Sequence, residues 1–311
     1  MANKELDNSR ISKHLGQTSQ YKSQYDPELL VKEPRSNNRG YLGIVEGDLP
    51  FVGYDTWNAY ECSFLLSNGR PATGVVKIVY DCNSTYIVES KSIKLYLNSF
   101  NMTQFEGSQD VAIAQFKSKV SADLSQLLET DVAVNFFDPG AIDQYDVCAH
   151  QEWQLAEYNT LEDQVCDEDT VYTVYNETPE LLEEGKASGD TDVEVKYHSA
   201  LLKSNCRVTS QPDWGDVMIH MKSKHTVDKA ALLKYIISFR DECHFHEEIC
   251  ECIYQRLMKA FEPTELGVMC LYARRGGIDI NPVRASDEVV LNHVAGTLID
   301  PRLVHIKTSK Q

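Results

Sequence analysis

Residues 204–216 read SNCRVTSQPDWGD, a cysteine beside an arginine with a carboxylate seven residues on. Val217, Ile219 and Met221 then alternate with other residues, which predicts a strand leaving this stretch. Pro212 and Gly215 frame a predicted turn that would return Asp213 towards the sulfur of Cys206. A thiol with an ordinary pKa near ~8.5 is only slightly ionised at neutral pH, so a nucleophilic cysteine requires a nearby cation, base or helix terminus. Arg207 is adjacent, although on a strand its side chain would point to the other face. Taken alone, Cys206 reads equally as a small buried hydrophobe.

The pattern outward from this stretch is that of two similar halves. In the second, a helix is predicted over residues 227–240, carrying Ala231, Leu232, Tyr235, Ile236 and Phe239. Another is predicted over 247–261, with Ile249, Ile253, Leu257 and Phe261 on one face and Pro263 at its end. Leu266, Val268, Cys270 and Tyr272 alternate as a strand that enters Arg274-Arg275-Gly276-Gly277. In the first half, strand-like runs cover 59–66, 73–80 and 86–97. A helix is predicted over 109–128 and a strand over 131–137, where Val132, Val134 and Phe136 share a face. The class implied is α+β, built from a duplicated module. Residues 1–20 read as a loose polar tail, 21–160 and 199–285 as the two modules, 161–198 as an acidic connection and 286–311 as a C-terminal tail.

Composition narrows the function. The 311 residues are 42% hydrophobic, enough for one large or two ordinary domains with real cores. No apolar run approaches the ~20 residues of a membrane span, and the start lacks a signal-peptide core, so a cytoplasmic, membrane-free protein is expected. Nine cysteines at irregular spacing imply reduced thiols. A net charge of −17 argues against a nucleic-acid surface. From Glu162 to Glu194 there are twelve Asp or Glu against one Lys, which reads as a solvated segment and leaves the rest of the chain only mildly acidic. An anionic cofactor is therefore compatible.

Three further segments bear on chemistry. Glu89-Ser-Lys-Ser-Ile-Lys-Leu-Tyr96 reads as an exposed strand face with cross-strand charge pairs, or as a binding edge. Phe245-His246-Glu247-Glu248 opens a helix, where glutamates suit the macrodipole irrespective of function. Arg274-Arg275-Gly276-Gly277 is a solvated turn or an anion site, since glycines admit close backbone approach while guanidiniums bind.

In this order, ESKSIKLY, SNCRVTSQPDWG, FHEE and RRGGIDINP resemble the QueF family of NADPH-dependent nitrile reductases in its two-module form. Gln24-Tyr25-Asp26, Pro34-Arg35-Ser36-Asn37-Asn38-Arg39 and Gly53-Tyr54-Asp55-Thr56-Trp57 extend the resemblance. It implies tandem tunnelling-fold modules and reduction of the nitrile of 7-cyano-7-deazaguanine, on the route to queuosine in tRNA, with two NADPH. It further implies Cys206 as nucleophile of a covalent thioimide, Asp213 as proton donor, and His246 orienting substrate or transferring protons. Val88, Glu89, Ser90, His246 and Glu247 would hold the substrate, and Ser90, Lys91, Arg275 and Gly276 the NADPH. To donate near neutral pH, Asp213 would need a pKa well above the ordinary ~3.9. A pocket drawing on both halves makes a homodimer the expected state. Two features depart from the family pattern: Arg207 stands where an aliphatic residue is expected, and the stretch after Arg284 is longer.

Two other readings stand beside this one. Cys243, His244, His246, Cys250 and Cys252 could form a zinc site of a hydrolase like GTP cyclohydrolase, although no standard zinc spacing is present. A non-catalytic purine-binding module would leave the pairing of Cys206 with Asp213 without a purpose.

Overall fold

The computed structural model describes residues 21–138, 157–165, 170–304, 307–308 and 310–311. The predicted N-terminal tail lies outside them. The first half contains β1 (Lys32–Pro34), α1 (Ser36–Leu42), β2 (Val52–Leu65), β3 (Pro71–Asp81), β4 (Tyr86–Val88), α2 (Ser90–Ser99), α3 (Gln109–Leu128) and β5 (Val132–Phe137). The second contains β6 (Asn159–Thr160), α4 (Leu161–Gln164), β7 (Ala187–Ser199), β8 (Lys203–Cys206), β9 (Pro212–Thr226) and α5 (Lys229–Ile237). It continues with β10 (Cys243–His244), α6 (His246–Phe261), β11 (Glu265–Tyr272), β12 (Ile278–Ala285) and α7 (Glu288–Ile299). The architecture is α+β, as expected, with the halves fused through one sheet.

That sheet has ten strands among the described residues, with the path β10-β8-β9-β11-β12-β2-β3-β5. The run from β9 to β5 is antiparallel, and β12 joins β2 with Pro282 opposite Asp55 and Ile280 opposite Trp57. Alternation on the strands gives the sheet two buried faces. On one, α2 and α3 cover Trp57, Val76, Ile78 and Ile280, while α5 and α6 cover Val217, Ile219, Val268 and Cys270. On the other, α7 covers Met218, Met269, Leu271 and Val283.

Four expectations change. Residues 86–97 are not one strand: β4 stops at Val88, and α2 begins behind Glu89, whose carboxylate accepts from the amides of Lys91 and Ser92. That capping creates a helix whose Ile93, Tyr96 and Leu97 face the core at helical spacing. Pro212 to Gly215 are strand, and the turn lies earlier, at 207–211. Part of the acidic connection is packed structure, because β7 pairs with β9 and Leu161, Leu181 and Leu182 enter the second core. The C-terminal stretch is no tail either. Asp287 caps α7, whose Val290, Leu291, Val294 and Leu298 are buried. Lys77 of β3 donates to the carbonyls of Thr297, Asp300 and Leu303 at 3.3, 2.7 and 2.8 Å, neutralising the negative end of that helix.

At the junction of the halves lies a buried ionic cluster. Arg284 of β12 donates to Asp55 of β2 at 2.8 Å and to Glu251 of α6 at 3.1 and 2.8 Å. Arg39 of α1 donates to Glu251 at 3.0 and 2.7 Å, and Arg35 pairs with Asp55. All five side chains are at most 3% exposed. Removing one member of such a cluster strands the others in low dielectric. Glu251→Ala should lower the unfolding free energy by about 3–5 kcal/mol, read as a lower urea midpoint. An unchanged midpoint would show that the cluster does not tie the halves together.

Candidate active site

The β8–β9 hairpin sets Ser204 opposite Asp213. Because side chains alternate, Cys206 shares the face of Ser204 and hence of Asp213. The intervening turn is closed by the Cys206 amide donating to Gln211 O at 2.8 Å and the Ser210 amide donating to Cys206 O at 2.9 Å. Ser210 is left-handed, with φ 54°. The start of α6 lies over this face. His246 Nε2 is 3.6 Å from Asp213 Oδ2, and the His246 ring is 3.9 Å, centroid to centroid, from Tyr272. Tyr272 pairs with Gly215 across β11 and β9, and a Cβ on Gly215 would come within 3.1 Å of the tyrosine ring.

Asp213 is buried at 2% exposure and ion-paired with Arg275. Burial pushes its carboxyl up, but the neighbouring His246 and Arg275 outweigh that and hold it below the ordinary carboxylate range. The sequence reading required the opposite direction. Arg275 also donates to Gln211 Oε1 at 2.6 Å and Thr209 Oγ1 at 3.4 Å, and its charge and hydrogen bonding extend to Cys206. Arg207 is partly buried and pairs with Glu248 at 2.7 Å, with its guanidinium 5.3 Å from the Phe245 ring centroid.

Glu247 is buried and its Oε1 has no hydrogen-bond partner. Burial, and then the charge of Asp55, push this carboxyl up to about 8 against the opposing Arg35 and Arg284. Tyr272 Oη is likewise buried without a hydrogen-bond partner, and His246 Nε2 has only the 3.6 Å approach of Asp213. Such atoms are costly unless a ligand satisfies them. Glu89 is buried as the cap of α2, and Val88 is buried in the first core. Burial raises the carboxyl of Glu33 on β1, and the charges of Arg207, Glu248 and Glu89 act on it. One chain thus brings the Glu89 end of α2 towards the Cys206 half.

Ser90 and Lys91 begin α2, and Gly276 and Gly277 lie in left-handed turns at φ 59° and 79°. A Cβ on Gly276 would meet Lys94 Nζ at 2.7 Å. Lys94 therefore stands against the glycine turn, Lys91 makes no ion pair among the described residues, and Arg274 lies 4.2 Å from the Tyr60 ring centroid. These cations fit the phosphates of a nucleotide cofactor. The zinc reading finds no support among the described residues. Cys250 donates to the carbonyls of Val268 and Pro282, and no group of three suitable side chains converges. Burial alone would lower the His244 pKa, but Glu242 and Glu248 carry it to about 9, so a metal would have to displace a proton there at neutral pH.

Residues 21–136 match the family model described as nitrile reductase, 7-cyano-7-deazaguanine-reductase N-term, and 212–290 match the one described as QueF-like protein. The chain is 39% identical over 274 residues to the NADPH-dependent 7-cyano-7-deazaguanine reductase of Colwellia psychrerythraea, covering 88% of this chain and 91% of the relative. The chain belongs to the QueF family. The reductase of the same name from Legionella pneumophila strain Lens is 38% identical over 93% of this chain and 96% of its own. The crystal structure of the archaeosine synthase QueF-Like overlaps 31% of this chain and 94% of its own at 18% identity and TM-score 0.27, too little to bear on the fold.

In this QueF chain, sequence reasoning missed Glu33, Lys94, Tyr272 and the ionic cluster. A helical reading of ESKSIKLY would have set Lys91 and Lys94 three residues apart on one face. The PRSNNR and GYDTW motifs supplied Arg35, Arg39 and Asp55 without showing what they meet.

Glu247 yields a pH-dependent prediction. Its folded pKa is raised, so its contribution to stability is present below the unfolded value of about 4.5 and is lost as pH rises through about 8. Glu247→Gln should therefore raise the melting temperature most above pH 8 and little near pH 4, in melts run across that range. An equal shift at both ends would contradict the raised pKa.

Proposed function

We propose that this chain reduces the nitrile of 7-cyano-7-deazaguanine to the aminomethyl group with NADPH. The observation that carries the reading is the convergence of Cys206, Asp213, His246 and Arg275 in a member of a family whose relatives are named for that activity. Cys206 is the nucleophile. Because Asp213 rests ionised, it takes the thiol proton as sulfur bonds to the nitrile carbon, then passes it to nitrogen. This adds S–H across the triple bond as a thioimide, with no net proton exchanged. NADPH, when bound, supplies the two hydrides needed per nitrile. His246, buried at Asp213, supplies protons to the substrate nitrogen, and expulsion of the Cys206 thiolate frees the carbon for the second reduction.

Glu247 accepts the adjacent ring N–H and amino group of the deazaguanine, a donor pair that favours the carboxylate over the acid. Glu89, Val88 and Ser90 close the substrate pocket from the first half. Lys91, Arg275, Gly276 and the neighbouring Lys94 and Arg274 hold the cofactor phosphates, with Ser90 beside them. A homodimer is proposed as the working state, free of nucleic acid and membrane. The net charge of −17 and the absence, among the described residues, of any helix able to cross a membrane support that reading.

Intact-protein mass spectrometry after mixing with substrate and no cofactor tests the core of this reading. One adduct of substrate mass on Cys206, discharged by NADPH, is expected; none from folded, reduced protein would refute it. Cys206→Ala should abolish both adduct and turnover, and Asp213→Asn should slow adduct formation by roughly 10²-fold or more. Lys91→Ala should narrow the preference for NADPH over NADH, measured as the ratio of kcat/KM values. An unchanged ratio would remove Lys91 from the phosphate site.

A further inference from the structure

We infer that Arg207 is a positioning residue for the reaction: by pairing with Glu248 it ties the turn after Cys206 to the first turn of α6, and so fixes the nucleophile relative to Glu247. The inference rests on the proposed function above and deepens it.

The tie begins where backbone pairing stops. In the parallel pair of β8 and β10, His244 lies opposite Cys206, and the Asn205 amide donates to Glu242 O at 2.8 Å. β8 ends at Cys206, and residues 207–211 turn away before β9 begins. Arg207 is thus the first residue beyond the ladder. Its Nη2 reaches Glu248 Oε2 at 2.7 Å, and its guanidinium lies 5.3 Å from the Phe245 ring centroid. A planar guanidinium can lie over a ring and donate to a carboxylate at once, which an ammonium on a flexible stem does less well. The two side chains are 17% and 8% exposed, so solvent screens the pair little.

Glu248 is itself held in place. The same Oε2 accepts from the Phe245 amide at 2.9 Å, as part of the cap of α6, and His244 Nδ1 lies 3.4 Å away. Glu242 meets the other ring nitrogen of His244 at 3.2 Å. His244 is a cation at neutral pH, and its Nδ1 is 3.2 Å from Arg207 Nη2, so the Glu248 carboxylate balances both charges. The two residues ahead of Glu248 are His246 and Glu247. A shift of the turn relative to α6 therefore shifts the sulfur relative to both. Glu247 grips one edge of a rigid, planar substrate, and that grip decides where the nitrile carbon falls. A displacement of about 1 Å at the sulfur can cost ~10²-fold in rate. Arg207, one of the departures from the family pattern, thereby has a partner at the start of α6.

Adduct formation at increasing 7-cyano-7-deazaguanine, without NADPH, separates alignment from binding. In Arg207→Leu the limiting rate should fall by roughly tenfold or more, while the half-saturating concentration changes by less than about threefold. Arg207→Lys should recover part of the rate. Adding Glu248→Gln to Arg207→Leu should cost little further, since the two residues act as one unit. Alkylation of Cys206 by iodoacetamide, which needs no alignment with α6, should proceed equally in Arg207→Leu and the unmodified chain. An unchanged limiting rate, or alkylation slowed as much as adduct formation, would overturn the inference. If the unmodified protein forms no adduct, the proposed function has failed, and amide hydrogen exchange decides about Arg207 separately. Faster exchange of the Cys206–Gln211 peptide in Arg207→Leu, with α3 and α5 unchanged, supports the tie; equal exchange overturns it.

Discussion

Everything in this molecule depends on five charges that water does not reach. Arg35, Arg39 and Arg284 meet Asp55 and Glu251 where α1, β2, α6 and β12 come together. Burying charge is expensive, and such a cluster persists only when each member satisfies the others. Its product is registry. Asp55 and Arg284 lie on the two strands that fuse the halves, so the ion pair fixes which residues of β12 oppose which of β2. Glu251 and Arg39 then fix α6 against α1. The first turn of α6 carries His246 and Glu247, so the seam and the reactive site share one rigid helix.

The cluster also reaches the site electrically. Three guanidiniums face two carboxylates, and their field reaches a further carboxyl, Glu247, which Asp55 pushes up and Arg35 and Arg284 pull down. A substrate that donates hydrogen bonds to Glu247 supplies what burial withholds, and ionisation of Glu247 then balances the buried charge. Under the proposed function, recognition and charge balance are in this way the same event. Asp213 is arranged in the opposite sense, since His246 and Arg275 hold its carboxyl low against the effect of burial. Two buried carboxyls on neighbouring elements are thus held in opposite protonation states.

Much of this was legible in the sequence. Helical spacing located α3 to the residue and α6 within one residue, because each carries an uninterrupted apolar stripe. Cys206, Asp213 and the arginine-glycine turn were visible as motifs. The errors share a cause: they concern what a residue meets outside its own segment. Glu89 capping a helix converts an apparently alternating strand into α2, and alternation alone does not show the cap. Arg275 stands out as a motif arginine, and nothing in its own segment shows that it also meets Asp213 of β9. The last 25 residues have no motif, yet Lys77, far away in the chain, holds the end of α7.

The pairing of β12 with β2 has a consequence for how the protein is made. On the ribosome, β2 and β3 emerge long before β12, the strand that extends their sheet. Until then β2 presents an open row of backbone donors and acceptors, and Asp55 and Arg35 lack Arg284. Contacts so distant in sequence are slow to form, and an unpaired strand edge invites partners from other chains. The nascent first half is therefore the species most exposed to aggregation, and chaperones would find their main work there, before release.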